Sequence, residues 1–199
     1  MSDNAFLRIM VDRNISNEQK DKEVRYRNYV NCHIKLVNES YNEIINDNDI
    51  YNLLLHKYFN FSKQSLDSVI GYLNLAIPMH DYSKYSEEEW EPYRRYFYPI
   101  NENEKKAAEE DMNVAWKHHY ENNDHHWEHW KNNVDKMPIR AVIEQCADWV
   151  AMSKYFNNGT ALDFYNKRVV DCENKEDQII LGDMQSRLTK DILTLYYGE

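Results

Sequence analysis

Apolar residues recur at helical spacing along almost the whole chain. In NEQKDKEVRYRNYVNCHIKLVNESYNEII, from about Asn17 to Ile45, residues Tyr26, Tyr29, Val30, His33, Leu36, Val37, Tyr41, Ile44 and Ile45 share one stripe, which predicts a long amphipathic helix. DIYNLLLHKYF predicts a shorter helix. SKQSLDSVIGYLNLAI predicts a third that stops at Pro78, because the residue before a proline is driven out of helical geometry. Ser86 followed by Glu89 is a capping-box pattern, so a helix carrying EEEWEPYRRYF should start there, with Pro92 kinking or shortening it. NENEKKAAEEDMNVAWKHHY reads as one helix whose acidic start suits the helix dipole, and ENNDHH as a turn leading into WEHWKNNV. After Pro138, IRAVIEQCADWVAMSKYF sets Ile139, Val142, Ile143, Cys146, Ala147, Val150 and Ala151 on a wide apolar face. NNG ends that helix with residues that tolerate positive φ. Helical stretches near 160–171 and 175–197 finish the chain, and no alternating strand pattern appears. The expected class is all-α.

Composition narrows the picture. The chain has 199 residues, 42% hydrophobic and 29% charged, enough to bury one domain's core. Four glycines and four prolines favour long helices over short strands and tight turns. Twenty-four Lys and Arg against 34 Asp and Glu give a net charge of −10, which repels a phosphate backbone and argues against general nucleic-acid binding. Cys32, Cys146 and Cys172 are widely spaced and form no CxxC pair, so reduced thiols in a cytoplasmic protein are expected. The start, MSDNAFLRIMVDRN, lacks a secretion-signal pattern, and no apolar run approaches the roughly 20 residues of a membrane span. Abundant Asn, Lys, Ile and Tyr suit an AT-rich bacterial or phage genome.

Histidine placement changes the picture most. His33 lies in the middle of the first helical stripe, where an unsatisfied buried imidazole would cost about 1–3 kcal/mol, so it must be partnered, either by a carbonyl or tyrosine or by an ion. In MHDYSKYSEEEW, His80, Asp81 and Lys84 follow Pro78 closely, as either a polar loop or a metal and anion site. Asp148 stands beside the apolar stripe of its helix, with Glu144 four residues before it, and needs a cation, donors or a raised pKa. Pairing on the surface with Lys154 or Arg140 is the bland alternative. Five of the eight histidines crowd into WKHHYENNDHHWEHW, where His119 continues the Ala108, Met112, Ala115 stripe and His118 is displaced by one position. A solvated histidine-rich loop packed on Trp116, Trp127 and Trp130 is the alternative there.

Taken in order, His33, then His80-Asp81, then Asp148 resembles the ligand series of the HD-domain metal-dependent phosphohydrolases, over about residues 20–155. HDYSK is similar to the HDxxK form of that superfamily, and His119 with His125-His126 resembles the extra histidines of its two-metal members. The same patterns are similar to a poorly characterised group of small bacterial and phage proteins sharing HDxSK and HHWExW. Residues 1–18 read as a short N-terminal arm, and the resemblance implies an HD-like metal-binding helical core (19–158) with a C-terminal helical extension packed on it (159–199). It implies one or two divalent ions (manganese, iron, cobalt, zinc or nickel, with magnesium compatible) held by His33, His80, Asp81, His119, Asp148 and either His125 or His126.

The implied reaction is hydrolysis of a nucleotide phosphate ester or phosphodiester by metal-activated water, with Asp81 bridging the ions and Lys84 facing the phosphate. Arg94, Arg95, Lys117 and Arg140 are candidates for holding a second phosphate or a sugar. A small anionic phosphorylated substrate is therefore the expected partner, without membrane association, and a homo-oligomer is compatible with it. No GYP follows the paired histidines, so specificity for cyclic di-GMP is not implied. Two other readings stand beside this one: a di-iron oxygenase on the same ligand order, and a non-enzymatic helical binding or inhibitor protein that keeps the fold.

Overall fold

A computed structural model describes residues 16–198, so most of the expected N-terminal arm lies outside the described residues. Every regular element among them is helical, and the all-α expectation holds. No helix among the described residues is long and apolar enough to cross a membrane.

The first helix, α1 (Asn17–Asn46), forms as its stripe predicts, with Tyr26, Val30, His33, Val37, Tyr41, Ile44 and Ile45 buried. Asp47 caps α2 (Asn48–Leu53) by accepting from the Asp49 and Ile50 amides, and α2 widens into a π-helical turn over Leu54–Tyr58. Ser62 caps α3 (Lys63–Ala76), which tightens into a 3-10 turn, Ile77–Met79, that contains Pro78. A second 3-10 turn, Tyr82–Tyr85, precedes α4 (Glu87–Phe97). Next come α5 (Glu102–Ala107), α6 (Glu109–Asn122) and 3-10 turns at Trp127–Trp130 and Val134–Lys136. The chain ends with α7 (Ile139–Phe156), α8 (Ala161–Tyr165) continued by a π turn at Asn166–Val170, and α9 (Asp183–Tyr197).

Four details depart from the expectations. Ser86 is the N-cap of α4, but its side chain makes no capping hydrogen bond, and the Glu89 carboxylate that would complete a capping box is engaged by two histidines instead. Pro92 does not shorten α4, which runs on to Phe97 without the hydrogen bond a Pro92 N–H would have made. The helix expected over residues 101–120 is two, broken at Ala108 (φ −91°, ψ −3°). That alanine is fully buried, so packing and not propensity sets the break. Residues 175–182 are not helical: the Ile179 amide donates to the Arg168 carbonyl and Arg168 Nε to the Asp177 carbonyl, tying this stretch to the preceding turn. Asn157 does end α7 in the left-handed conformation (φ 48°), as NNG predicts.

The described residues form two compact units that alternate along the chain, 16–32 with 81–122 and 33–80 with 123–198. In the first, α4 packs on α6. Its interior is aromatic and polar: the Tyr26 ring lies 4.8 Å from Trp90 and 5.9 Å from Tyr98, and Trp90 Nε1 donates to Glu23 at 3.2 Å. The second unit has an aliphatic interior built on α7, where Val142, Ile143, Ala147 and Val150 join Val37, Ile44, Leu54, Leu73, Leu188 and Ile192. Removing this apolar surface from water stabilises the second unit at roughly 25 cal/mol per Å².

Candidate metal centre

Within the second unit, four separate segments bring donor side chains together. His33 comes from α1, one turn before the buried Val37. His80 ends the Ile77–Met79 turn in an extended conformation that terminates the helix and turns its ring inward. His125 lies in the turn before Trp127, and Asp148 lies on α7 one helical turn after Glu144, so the two carboxylates share a face. The turn bearing His125 is held from three sides. Arg140 donates bidentately to Asp124 at 3.0 and 2.5 Å, Trp130 Nε1 donates to the Asp124 carbonyl, and Gln145 Nε2 donates to the His125 carbonyl.

His33, His80, His125, Glu144 and Asp148 are all buried. Asp148 Oδ1 stands 3.5 Å from His33 Nε2 and 3.9 Å from His80 Nε2, and it accepts no hydrogen bond. These separations exceed a hydrogen bond, whereas two donors on one tetrahedral ion with bonds of about 2.0–2.1 Å stand roughly 3.3 Å apart. One donor atom from each of His80, His125 and Asp148 lies within 4.8 Å of the other two, so the group can hold a metal ion. The His80 and His125 rings stack at 4.3 Å, and the His126 ring, half-buried, lies 4.3 Å from that of His125. Glu144 Oε1 meets both Nδ1 atoms, at 2.9 Å for His80 and 3.2 Å for His125. Burial alone would raise the Glu144 pKa, but the bonds from His125 and His80 outweigh it and hold the carboxyl well below the usual carboxylate range.

The first unit carries a second cluster. Asp81 is buried in the left-handed conformation (φ 54°), which aspartate tolerates better than most residues and which costs backbone energy all the same. Lys84 Nζ donates to Asp81 Oδ2 at 2.5 Å, and His119 Nε2 lies 3.2 Å from Asp81 Oδ1. Behind His119, fully buried Glu89 takes His119 Nδ1 on one oxygen and His118 Nδ1 on the other, both at 2.8 Å. Burial pushes the His119 pKa down, and the charge and hydrogen bond of Asp81, with that of Glu89, more than reverse this and raise it.

The structure thus gathers His33, His80, His125, His126 and Asp148 in one unit, and Asp81, Lys84 and His119 in the other. The arginines expected at a phosphate are committed elsewhere. Arg94 is buried between Glu91 and Glu104 (2.8 and 2.9 Å), Arg95 pairs with Asp111, and Arg140 clamps Asp124 while its guanidinium covers the Tyr72 ring. A buried arginine holding two carboxylates cannot also face a substrate, so Arg94 leaves the set of candidate phosphate ligands. Lys117 is exposed and stands 3.7 Å from Glu121. Lys154 pairs with Glu43, so neither surface partner considered for Asp148 is used. Glu144 and Glu89 are the residues the sequence reading did not assign. The available signal was position: Glu144 is one turn from Asp148, and Glu89 is the third of three consecutive glutamates.

Residues 22–194 match a family model described as "Family of unknown function (DUF5662)", and the chain belongs to that family. Neither a curated protein nor a solved structure matches it.

Proposed function

We propose that this DUF5662 member is a metal-dependent phosphohydrolase acting on a small phosphorylated molecule, with a nucleotide ester or phosphodiester as the substrate class. The observation that carries the reading is the convergence of His80, His125 and Asp148, three remote positions, on one buried donor set, with His33 Nε2 3.5 Å from the same Asp148 oxygen. Three imidazoles and one carboxylate suit a borderline transition ion such as zinc, iron, cobalt, nickel or manganese better than magnesium, which takes oxygen ligands. A divalent ion held there would acidify water and screen the charge of a phosphate ester. The chain's own part is to orient the imidazoles and to exclude bulk water, which the burial of all four residues supports. Asp81 and Lys84 enter the reading through the HDxxK resemblance, as ligand and phosphate-facing cation.

The test is a phosphate-release screen over nucleotides and phosphodiesters with manganese, cobalt, zinc and magnesium. Release that disappears in His80→Ala and Asp148→Ala is expected; a metal-loaded protein silent on every substrate contradicts the proposal. One observation favours a second reading, a binding protein with a structural ion: Lys84, Arg94, Arg95 and Arg140 are all paired with carboxylates. In that case the ion would raise stability while no phosphate is released.

A further inference from the structure

Glu144 touches none of the atoms that would face an ion, yet it contacts two of the imidazoles that would. From the geometry we infer that Glu144 is the positioning residue of the metal centre, a single outer carboxylate that sets the tautomer and ring orientation of both His80 and His125. The inference rests on the metal centre proposed above and adds to it the group that makes the donor set competent.

Oε1 has two acceptor positions and sits 2.9 Å from His80 Nδ1 and 3.2 Å from His125 Nδ1. An anionic oxygen can only accept, so each Nδ1 must carry the proton. The nitrogen left to bind a cation is then Nε2 on both rings, and His80 Nε2 is the atom that looks toward Asp148 at 3.9 Å. With Glu144 Oε1 placed against both Nδ1 atoms, the tautomer that keeps these contacts is Nδ1–H, which leaves Nε2 as the donor atom, and a carboxylate partner makes each imidazole a stronger donor.

The helix makes this arrangement rigid. Glu144 is 7% exposed on α7, with Ile143 and Ala147 buried in the aliphatic core around it, and Asp148 follows one turn later on the same face. One element therefore supplies both a ligand and the brace for two others. Gln145, next to Glu144, fixes the His125 backbone through its carbonyl, so the same turn of α7 holds that histidine at main chain and ring.

The experiment titrates cobalt into wild type, Glu144→Gln and Glu144→Ala against a chromophoric chelator. Long-range proton–nitrogen spectra of the imidazoles are recorded on the metal-free proteins. Wild type should bind cobalt with His80 and His125 protonated at Nδ1. Glu144→Ala should bind about 10–100-fold more weakly with the Nδ1–H preference lost. Glu144→Gln, whose amide oxygen still accepts, should keep the tautomers and fall between the two, a rescue that a purely structural role would not produce. If Glu144→Ala does not fold, the glutamine variant decides alone: weaker binding with retained tautomers supports the inference, and wild-type affinity overturns it. Wild-type affinity in both variants, or unchanged tautomers in a folded Glu144→Ala, likewise overturns it. A wild-type chain that takes up no cobalt overturns the inference and the functional reading together, whereas one that binds cobalt and hydrolyses nothing sinks the functional reading alone.

Discussion

Glu89 and Glu144 are the same device placed in two different settings. Each is a buried glutamate within a helix, and each engages the Nδ1 atoms of two imidazoles, His118 and His119 for one and His80 and His125 for the other. What differs is the far side of the rings. His119 Nε2 meets Asp81 at 3.2 Å, and Asp81 is in turn held by Lys84, so negative and positive charge are balanced by protein groups. His80 Nε2 faces Asp148 at 3.9 Å, with His33 at 3.5 Å from the same oxygen, and no lysine or arginine is paired with that carboxylate among the described residues. Carboxylate-braced histidines are thus not by themselves a metal signature. What sets the His80–His125 pair apart is that the carboxylate facing it, Asp148, is paired with no lysine or arginine among the described residues.

That contrast can be broken by substitution, beginning with the largest effect. Asp148→Ala should weaken cobalt or zinc binding by at least about 100-fold in a chelator competition, since it removes a direct ligand and not an outer partner. Retained affinity would erase the distinction between the two clusters. Glu89→Gln should leave cobalt affinity at the His33, His80, His125 and Asp148 set unchanged. It should cost about 1–3 kcal/mol of stability in denaturant unfolding, because two histidines lose an anionic acceptor in a buried place. Loss of metal with no change in stability would reverse the roles assigned to the two glutamates.

A smaller effect concerns Glu104, half-buried beside the buried Arg94 of the first unit. Burial pushes the Glu104 pKa up, but bonds from Arg94 and the Ile100 amide, with the arginine charge, outweigh this and lower it. A depressed folded-state pKa contributes stability that is present above the unfolded value of about 4.3 and is lost as pH falls through the folded value. Wild type should therefore lose on the order of 1 kcal/mol more stability than Glu104→Gln as pH is lowered below about 4.5. Parallel stability curves for the two proteins over that range would contradict this. The smallest effect belongs to the exposed Lys154–Glu43 pair, where Lys154→Ala should change stability by no more than about 1 kcal/mol. A larger loss on thermal unfolding would mean that this surface pair matters as much as the buried ones.

Much of this was legible before any coordinates. The α1 and α7 stripes announced themselves because their apolar residues follow the helical period over more than three turns, and the same stripes placed His33 and Asp148 beside the interior. His119 was distinguishable from His118 by a single helical step, and the structure buries the former and leaves the latter partly exposed. Glu89 was misread because a serine followed three residues later by a glutamate looks alike whether the carboxylate caps a helix or braces a histidine; only packing decides. Glu144 stayed unassigned because its partners are 64 and 19 residues away. The break at Ala108 opposes local propensity, and Pro78 marks a helix end near the His80–Asp81 bond without showing that the chain divides into two units there.

The most direct test of the central claim is anomalous diffraction from crystals grown with zinc or cobalt, collected at the metal edge. The account predicts a peak bonded to Nε2 of His80 and His125 and to Oδ1 of Asp148, with His33 Nε2 as a further ligand. Fully occupied metal bound only elsewhere, with those four side chains bonded to one another or to water, would contradict it.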